Sequence, residues 1–238
     1  MSAAPITIQR ADDRFHTKVG WLDSHHSFSF GGHYDPANTH HGLLLVSNDD
    51  RVRAGTGFET HPHRDMEIVT WVLDGELEHK DSVGNTGIIY PGLAQRMSAG
   101  RGIWHSEKNP SRSADVHFIQ MWVLPDTERI DPSYEQLDIS SELSKGGLVP
   151  VASGRGHDAA ISIRQRGAVL WAGRLSPGER VLVPDAAFAH VYVAGGAVEL
   201  DGAGRLDTGD AARLVGAGSP AIVADPAVGA ELLVWETA

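Results

Sequence analysis

Residues 60–79, "THPHRDMEIVTWVLDGELEH", contain the pattern from which the expected fold class and the expected site of this 238-residue chain both follow. The stretch is typical of extended chain, because β-branched and aromatic residues are frequent and polar and apolar side chains alternate in it. Side chains alternate across a strand, so four ionisable residues share one face if the segment stays extended: His61, His63, Asp65 and Glu67. Two imidazoles at positions i and i+2 can converge on one ion.

A second stretch, "SAGRGIWHSEKNP" at residues 98–110, repeats this arrangement. His105 and Glu107 lie at i and i+2, directly after a turn predicted at Gly100 and Gly102. The H-x-H pattern alone occurs by chance, but its pairing with H-x-E in a cysteine-free, β-rich chain is specific. We therefore predict one divalent metal per chain, held by His61, His63, His105 and Glu107. Such a nitrogen and oxygen set suits Fe(II), Mn(II), Ni(II), Cu(II), Co(II) or Zn(II), and it leaves coordination positions open for catalysis.

Glu67 is a second candidate for the carboxylate ligand, because it would face the same side of an extended strand as His63. The other role for Glu67 is to accept a hydrogen bond from the outer N–H of a metal-binding imidazole. Both Glu107 and Glu67 are candidates for the catalytic base. Three apolar side chains at odd-numbered positions, which would face the same side as His61 and His63, are predicted to line a substrate pocket above the metal: Trp71, Leu73 and Leu77. Ordinary core packing explains them equally well.

Composition excludes several function classes. The chain has 20 Lys and Arg against 31 Asp and Glu, and its net charge of -11 argues against nucleic acids and anionic membranes as direct partners. No run of about 18 apolar residues is present, and the N-terminus lacks the pattern of a signal peptide, so we expect a cytoplasmic protein. Zero Cys excludes thiolate nucleophiles, iron–sulfur clusters and Cys-type zinc sites.

The organisation of the chain is predicted from its turns. The 27 Gly and 12 Pro separate short runs rich in Val, Ile and Leu, which indicate strands. Asp74-Gly75 predicts a hairpin, and residues 194–204, "AGGAVELDGAG", predict another. Residues 134–143, "YEQLDISSEL", have helical spacing and suggest a connector, so we place a domain boundary there and predict domains at 1–133 and 134–238. Eleven of the 13 His precede this boundary, which favours a metal site in the first domain only.

Three segments together resemble the pirin family of bicupins, in particular the shorter bacterial members described as quercetin 2,3-dioxygenases. They are "WLDSHHSFSFGGHYDP" at 21–36, "GTGFETHPHRDMEIVTWVLDGELEHKDSVGN" at 55–85 and "PGLAQRMSAGRGIWHSEKNP" at 91–110. The resemblance implies an all-β chain with two jelly-roll cupin barrels in tandem and few short helices. It also implies a metal in the first barrel, held by the four residues predicted above, and a second barrel that has lost its metal. The general cupin pattern, which uses the carboxylate at Glu67, fits less well, because Gly75 comes one residue late and Pro91 lies too far from His105.

The function implied by the resemblance is a mononuclear metal dioxygenase that opens the ring of quercetin, or of a similar flavonol or enolic substrate, with O2. Fe(II) is the expected metal. The metal would lower the pKa of a coordinated hydroxyl, and a carboxylate, Glu107 or Glu67, would accept the proton. The expected partners are a small aromatic substrate and O2, and the expected state is a monomer. An alternative from another class stays open: a non-enzymatic pirin whose metal or redox state regulates binding.

Overall fold

The computed structural model describes residues 5–238 and shows an almost entirely β structure, which confirms the expected all-β class with few short helices. The strands before the helix are β1 (Ile6–Gln9), β2 (Phe15–Val19), β3 (Leu22–His26), β4 (Leu44–Val52), β5 (Gly57–His63), β6 (Glu67–Asp74), β7 (Leu77–Asp81), β8 (Thr86–Ile89), β9 (Leu93–Ser98), β10 (Ile103–Lys108), β11 (Val116–Val123) and β12 (Ser133–Asp138). The remaining elements are α1 (Ser140–Leu143), β13 (Val149–Ser153), β14 (Ile161–Ser162), β15 (Ala168–Leu175), β16 (Arg180–Leu182), β17 (Phe188–Leu200), β18 (Gly204–Asp207), β19 (Ala211–Val215), β20 (Ala221–Ala224) and β21 (Ala230–Thr237). Across residues 5–238, no helix combines the length and apolar character needed to cross a membrane.

Two sheets form the first half of the fold. A seven-stranded sheet has the order β12-β9-β6-β11-β4-β3-β2, and a four-stranded sheet has the order β5-β10-β7-β8. Both sheets contribute to one buried apolar cluster, in which Val72 and Phe118 of the larger sheet pack with Leu77 and Ile89 of the smaller one. The two sheets therefore enclose a common interior, and β5 and β10 form part of its wall.

The second half is built around a ten-stranded sheet, whose main path runs β1-β19-β17-β21-β15-β13-β14. The long strand β17 pairs with β19 and β21 over its first part and with β18 and β20 over its second part. The pairing of β17 with β18 across Asp201 to Ala203 confirms the second predicted hairpin. β1 pairs with β19, so the start of the chain belongs to the sheet of the second half.

A shared apolar core joins the two halves. Val69 and Trp71 of β6 pack in one buried cluster with Leu170 and Trp235 of the second half. The Trp71 indole Nε1 also donates a hydrogen bond of 2.8 Å to Glu231. β6 is thus buried on both faces, which explains why its sequence is a nearly continuous apolar run rather than a strict alternation.

The domain division predicted at residue 133 stays a prediction. Its border falls at the start of β12, which pairs with β9 over all six residues from Ser133 to Asp138. We propose that the first unit extends to the end of this strand.

Two local predictions need correction. Asp74-Gly75 does not close a hairpin, because β6 pairs with β9 and β11 whereas β7 pairs with β8 and β10. Gly75 has a φ of 80°, and a Cβ there would lie 2.8 Å from the Asp115 carbonyl oxygen, so glycine permits a sharp passage between sheets. The helix predicted at 134–143 is limited to Ser140–Leu143, since pairing with β9 extends the preceding residues into a strand.

Candidate metal centre

Three imidazoles converge where β5 and β10 pair. His61 lies opposite His105 in the antiparallel register, and His63 lies opposite Ile103. One ring nitrogen from each of His61, His63 and His105 lies within 4.8 Å of the other two. The ring centroids are 4.5 Å apart for His61 and His105, and 4.9 Å apart for the other two pairs. The structure therefore brings together the three imidazoles predicted as ligands.

A β-bulge shapes this wall of the interior. Phe58 and His61 of β5 are three positions apart, but they lie opposite Glu107 and His105, which are only two apart. The extra residue in β5 lets Phe58 and His61 face the same side as Glu107, which a regular strand would not allow. Gly57 makes the pairing possible, because a Cβ at this position would collide with the Glu107 carbonyl oxygen.

Hydrogen bonds and burial indicate which nitrogen the rings of His61 and His105 offer. His61 Nδ1 lies 2.7 Å from the Glu59 carbonyl oxygen, which can only accept, so Nδ1 carries the proton and Nε2 keeps its lone pair. His105 Nε2 is buried and has no hydrogen-bond partner among the described residues. A buried, unpaired ring nitrogen is costly unless something fills its acceptor position. The nitrogen atoms of His61 and His105 are thus arranged as metal ligands would be.

His79 and Asp81 of β7 support His105 from behind. His79 Nδ1 lies 3.4 Å from His105 Nδ1, and His79 Nε2 lies 3.1 Å from Asp81 Oδ2. Burial raises the pKa of Asp81, but hydrogen bonds from Asn85 and His79 outweigh it and lower that pKa below its ordinary value. The ionised carboxylate can only accept, so His79 donates to it from Nε2–H, and His79 Nδ1 is placed to accept from His105 Nδ1–H. This series of hydrogen bonds from Asp81 through His79 favours the His105 tautomer that has its proton on Nδ1 and a lone pair on Nε2.

The environment keeps two of the imidazoles neutral. Burial, together with the neighbouring imidazoles of His105 and His61, lowers the pKa of His63 to about 4. Burial and the imidazoles of His61 and His79 lower the pKa of His105 to about 3. Neutral imidazoles keep a lone pair for a metal, so the site is ready to bind a cation at neutral pH.

Glu107 lies near the three imidazoles but outside the group whose donor atoms are all within 4.8 Å of one another. Its side chain is buried, and Gln120 Nε2 donates to both of its oxygens, at 3.0 Å and 2.8 Å. Gln120 Oε1 in turn accepts from Trp122 Nε1 at 3.1 Å. The carboxylate predicted as the fourth ligand is therefore held by β11, a strand of the facing seven-stranded sheet.

A cavity of about 700 Å³ opens beside these groups. Its polar wall includes His61, His63, Glu107 and Gln120. Four aromatic side chains also line it, in two edge-to-face pairs: Trp21 with Phe58 at 5.0 Å, and Phe30 with Trp122 at 5.5 Å between ring centroids. Lys108 and Glu59 form an ion pair at the same cavity. The size and the mixture of aromatic walls with a few polar groups are typical of a site for a small organic molecule.

Comparison with known proteins identifies the family. The pirin family model matches residues 8–123. A crystal structure described as bacterial pirin YhhW from Escherichia coli in complex with nickel(II) is 37% identical and covers 98% of each chain, with a TM-score of 0.89. The chain belongs to the pirin family. A Mycobacterium tuberculosis relative named "Putative quercetin 2,3-dioxygenase" is 55% identical to this pirin over 98% of the chain and 95% of the relative.

An Escherichia coli K12 protein named quercetin 2,3-dioxygenase is 50% identical over 131 residues, which span 55% of this pirin and 57% of that protein. The strongest of these likenesses run along both halves of the chain, which agrees with two cupin barrels in tandem.

The structure places Asp65 and Glu67 away from the imidazoles of this pirin. The chain turns between β5 and β6, and Asp65 adopts a φ of 47° in that turn. The side-chain alternation of β5 therefore does not continue into β6, and Glu67 does not face the same side as His63. Glu67 accepts hydrogen bonds from Ser98 Oγ at 2.7 Å and from the Arg164 backbone N–H at 3.0 Å. It links the two halves of the chain instead of facing the cavity.

The predicted pocket residues also need correction, since none of them lines the cavity. Trp71 and Leu73 share the face of β6 that packs against the second half. Leu77 is fully buried in the core between the two sheets. The prediction assumed that odd-numbered residues continue to face the side of His61 after the turn, but in β6 they face the opposite way, toward the second half.

Several contributing residues were not predicted from the sequence, among them His79, Asp81, Gln120 and Trp122. His79 and Asp81 show an H-x-D pattern that suggests a surface strand as readily as a support for a ligand. Gln120 and Trp122 lie within the apolar run of β11, where only the alternation of Gln120 with buried apolar neighbours marks it as inward-facing. The role of His79 and Asp81 depends on the pairing of β7 with β10, and the role of Gln120 and Trp122 depends on the packing of one sheet on the other.

A second group of close metal-binding side chains, His16, Asp23 and His25, lies on the β2–β3 hairpin. Asp23 already accepts hydrogen bonds from His16 at 2.8 Å and from Lys18 at 2.6 Å, and these partners lower its pKa. This group forms a surface network of charged and polar side chains, and it supplies matched control variants for the experiments below.

Proposed function

We propose that this pirin is a metal-dependent dioxygenase that opens the ring of quercetin, or of a similar flavonol or enolic substrate, with O2. The observation that carries the proposal is the position of the three imidazoles, with an unpartnered Nε2 on His105, directly beside an aromatic cavity of about 700 Å³. The names of the relatives support the same activity.

The residues that would hold the metal are His61, His63, His105 and Glu107. The donor set fits a divalent transition metal, because it combines three imidazoles with one carboxylate and pairs the outer nitrogens of His61 and His105 with acceptors. We propose Fe(II) as the metal in the cell. When bound, it supplies a Lewis acid that lowers the pKa of a substrate hydroxyl.

The chain's own residues then bind and orient the substrate. The rings of Trp122 and Phe58, one from each edge-to-face pair, offer flat apolar surfaces for an aromatic molecule. Glu107 accepts the hydroxyl proton on a carboxylate oxygen, because it is the acidic side chain that both lines the cavity and adjoins the imidazoles. The resulting enolate is electron-rich and reacts with O2.

The test is O2 consumption by Fe(II)-loaded protein with quercetin, together with detection of the carbon monoxide that the proposed opening of a flavonol ring by O2 would release. We expect wild type to consume O2 and release carbon monoxide, and His61→Ala and Glu107→Ala to lose at least about 100-fold in rate, as expected for loss of a ligand or a base. His25→Ala is the matched control and keeps the wild-type rate. Equal rates in wild type and His61→Ala would overturn the proposal and favour the non-enzymatic alternative. The monomeric state and the cytoplasmic location stay predictions.

A further inference from the structure

The amide of Gln120 occupies a defined position on the Glu107 carboxylate. Its Nε2 lies within hydrogen-bond distance of both oxygens, at 3.0 Å and 2.8 Å. A donor in this position sits between the two oxygens, which is where a metal must lie if the carboxylate is to bind it through both atoms. The outer lone pairs of the carboxylate remain free.

The orientation of this amide follows from its other partner. Trp122 Nε1 is 3.1 Å from Gln120 Oε1, and an indole N–H can only donate. The oxygen of the amide must therefore face Trp122, and its nitrogen must face Glu107. The two groups that meet are buried, with 8% of Gln120 and 2% of Glu107 exposed, so water does not compete effectively for these hydrogen bonds.

Trp122 connects this arrangement to the cavity. Its half-buried ring lines the cavity and packs edge-to-face on the His63 imidazole at 4.9 Å. A flat ligand that packs on Trp122 thus contacts the residue that orients Gln120.

We propose that Gln120 is a positioning residue that prevents Glu107 from binding the metal through both oxygens and keeps a carboxylate oxygen available as the proton acceptor. The inference rests on the proposed function, since it assigns Glu107 two roles at that site. Gln120 thereby weakens metal binding, but it leaves one Glu107 oxygen available as a base and one coordination position of the metal open.

The test is a metal titration of the full chain with Ni(II), comparing wild type with Gln120→Leu. Without the amide, the buried carboxylate turns to the metal with both oxygens, so we expect Gln120→Leu to bind Ni(II) about tenfold more tightly, or about 1.4 kcal/mol. The Co(II)-loaded variant should absorb more weakly in the visible range, because an added ligand atom raises the coordination number. A disturbed fold would weaken binding, so tighter binding separates the proposed role from structural damage.

Two further variants complete the test. Trp122→Phe keeps the ring but removes the N–H that orients the amide, and it should shift Ni(II) affinity in the same direction by a smaller factor. In a Glu107→Gln background, Gln120→Leu should change nothing, because the carboxylate is gone. Equal or weaker Ni(II) binding by both Gln120→Leu and Trp122→Phe, or a gain that persists without Glu107, would overturn the inference. Neither readout requires turnover, so inactivity toward quercetin would reject the proposed function without deciding this one.

Discussion

His79 Nδ1 lies 3.4 Å from His105 Nδ1, and the opposite side of the His79 ring is hydrogen-bonded to Asp81. This arrangement assigns the proton of His105 to Nδ1 and leaves Nε2 with a free lone pair. His79 also stacks on Tyr134 of β12 at 4.8 Å, so its ring has little freedom to turn.

We predict that His79→Phe, which retains an aromatic ring beside Tyr134 but removes the acceptor for His105, weakens metal binding about 10- to 100-fold. Isothermal titration with Ni(II) measures the change. His16→Ala, in the surface group on the β2–β3 hairpin, should leave the affinity of the main site unchanged. Unaltered affinity in His79→Phe would show that the tautomer of His105 is set by other contacts.

Metal removal should lower thermal stability, because a ligand that binds only the folded state stabilises it. At a free metal concentration 100 times the dissociation constant, the stabilisation is about 2.7 kcal/mol. For a chain of this size that corresponds to a rise in Tm of about 5–10 °C over the chelated protein, measured by differential scanning fluorimetry. His61→Ala should show no such rise, whereas His25→Ala should retain it. A full rise in His61→Ala would place the metal elsewhere.

Asp50 should make stability depend on pH. This carboxyl is fully buried, and burial, together with the charges of Asp49 and Glu107, raises its pKa from 3.8 to about 7 against the opposing hydrogen bond from Ser24. Between pH 4 and 7 the unfolded state has released the proton and the folded state retains it, so the contribution of Asp50 to stability is complete below about pH 4 and is lost as pH rises to 7.

We therefore expect Asp50→Asn to gain stability relative to wild type as pH rises from 4 to 7, by up to about 1.4 kcal/mol per pH unit, and to gain no more above pH 7. Urea unfolding of both proteins at four pH values measures the difference. Parallel profiles would mean that Asp50 is ionised in the folded state at pH 5.

The shared core predicts that the two halves lose structure together. Trp235 is buried in the cluster that contains Val69 and Trp71, and its indole Nε1 lies 3.1 Å from Met121 Sδ in the first half. Trp235→Ala should cost about 3–5 kcal/mol and lower the unfolding midpoint of the whole chain. Leu182→Ala, at a half-exposed position, should change stability by less than about 0.5 kcal/mol.

Coincident curves from circular dichroism, which reports both halves, and from metal release, which reports the first, would show the coupling. Separate transitions in Trp235→Ala would instead support domains that unfold independently.

Much of this protein follows from local pattern alone. The alternation in residues 60–79, the frequent Gly and Pro, and the absence of Cys predict an all-β chain with a nitrogen and oxygen metal site. His61 and His63 are two residues apart on one strand, and His105 and Glu107 are two apart on another, so each pair shares a face whatever the rest of the chain does. The family resemblance also rests on motifs whose residues are contiguous in the sequence.

The remainder depends on contacts between distant strands. Parity is a property of one uninterrupted strand, and the turn at Asp65 ends it, which is why Glu67, Trp71 and Leu73 face the second half instead of the cavity. Pairing of β7 with β10 brings His79 to His105, and packing of the four-stranded sheet on the seven-stranded sheet brings Gln120 to Glu107, although 26 and 13 residues separate them along the chain. Side-chain alternation predicts which residues share a face only within one strand of a few residues. The hydrogen bonds that orient a ligand and a base form only when distant strands pair and the two sheets pack against each other.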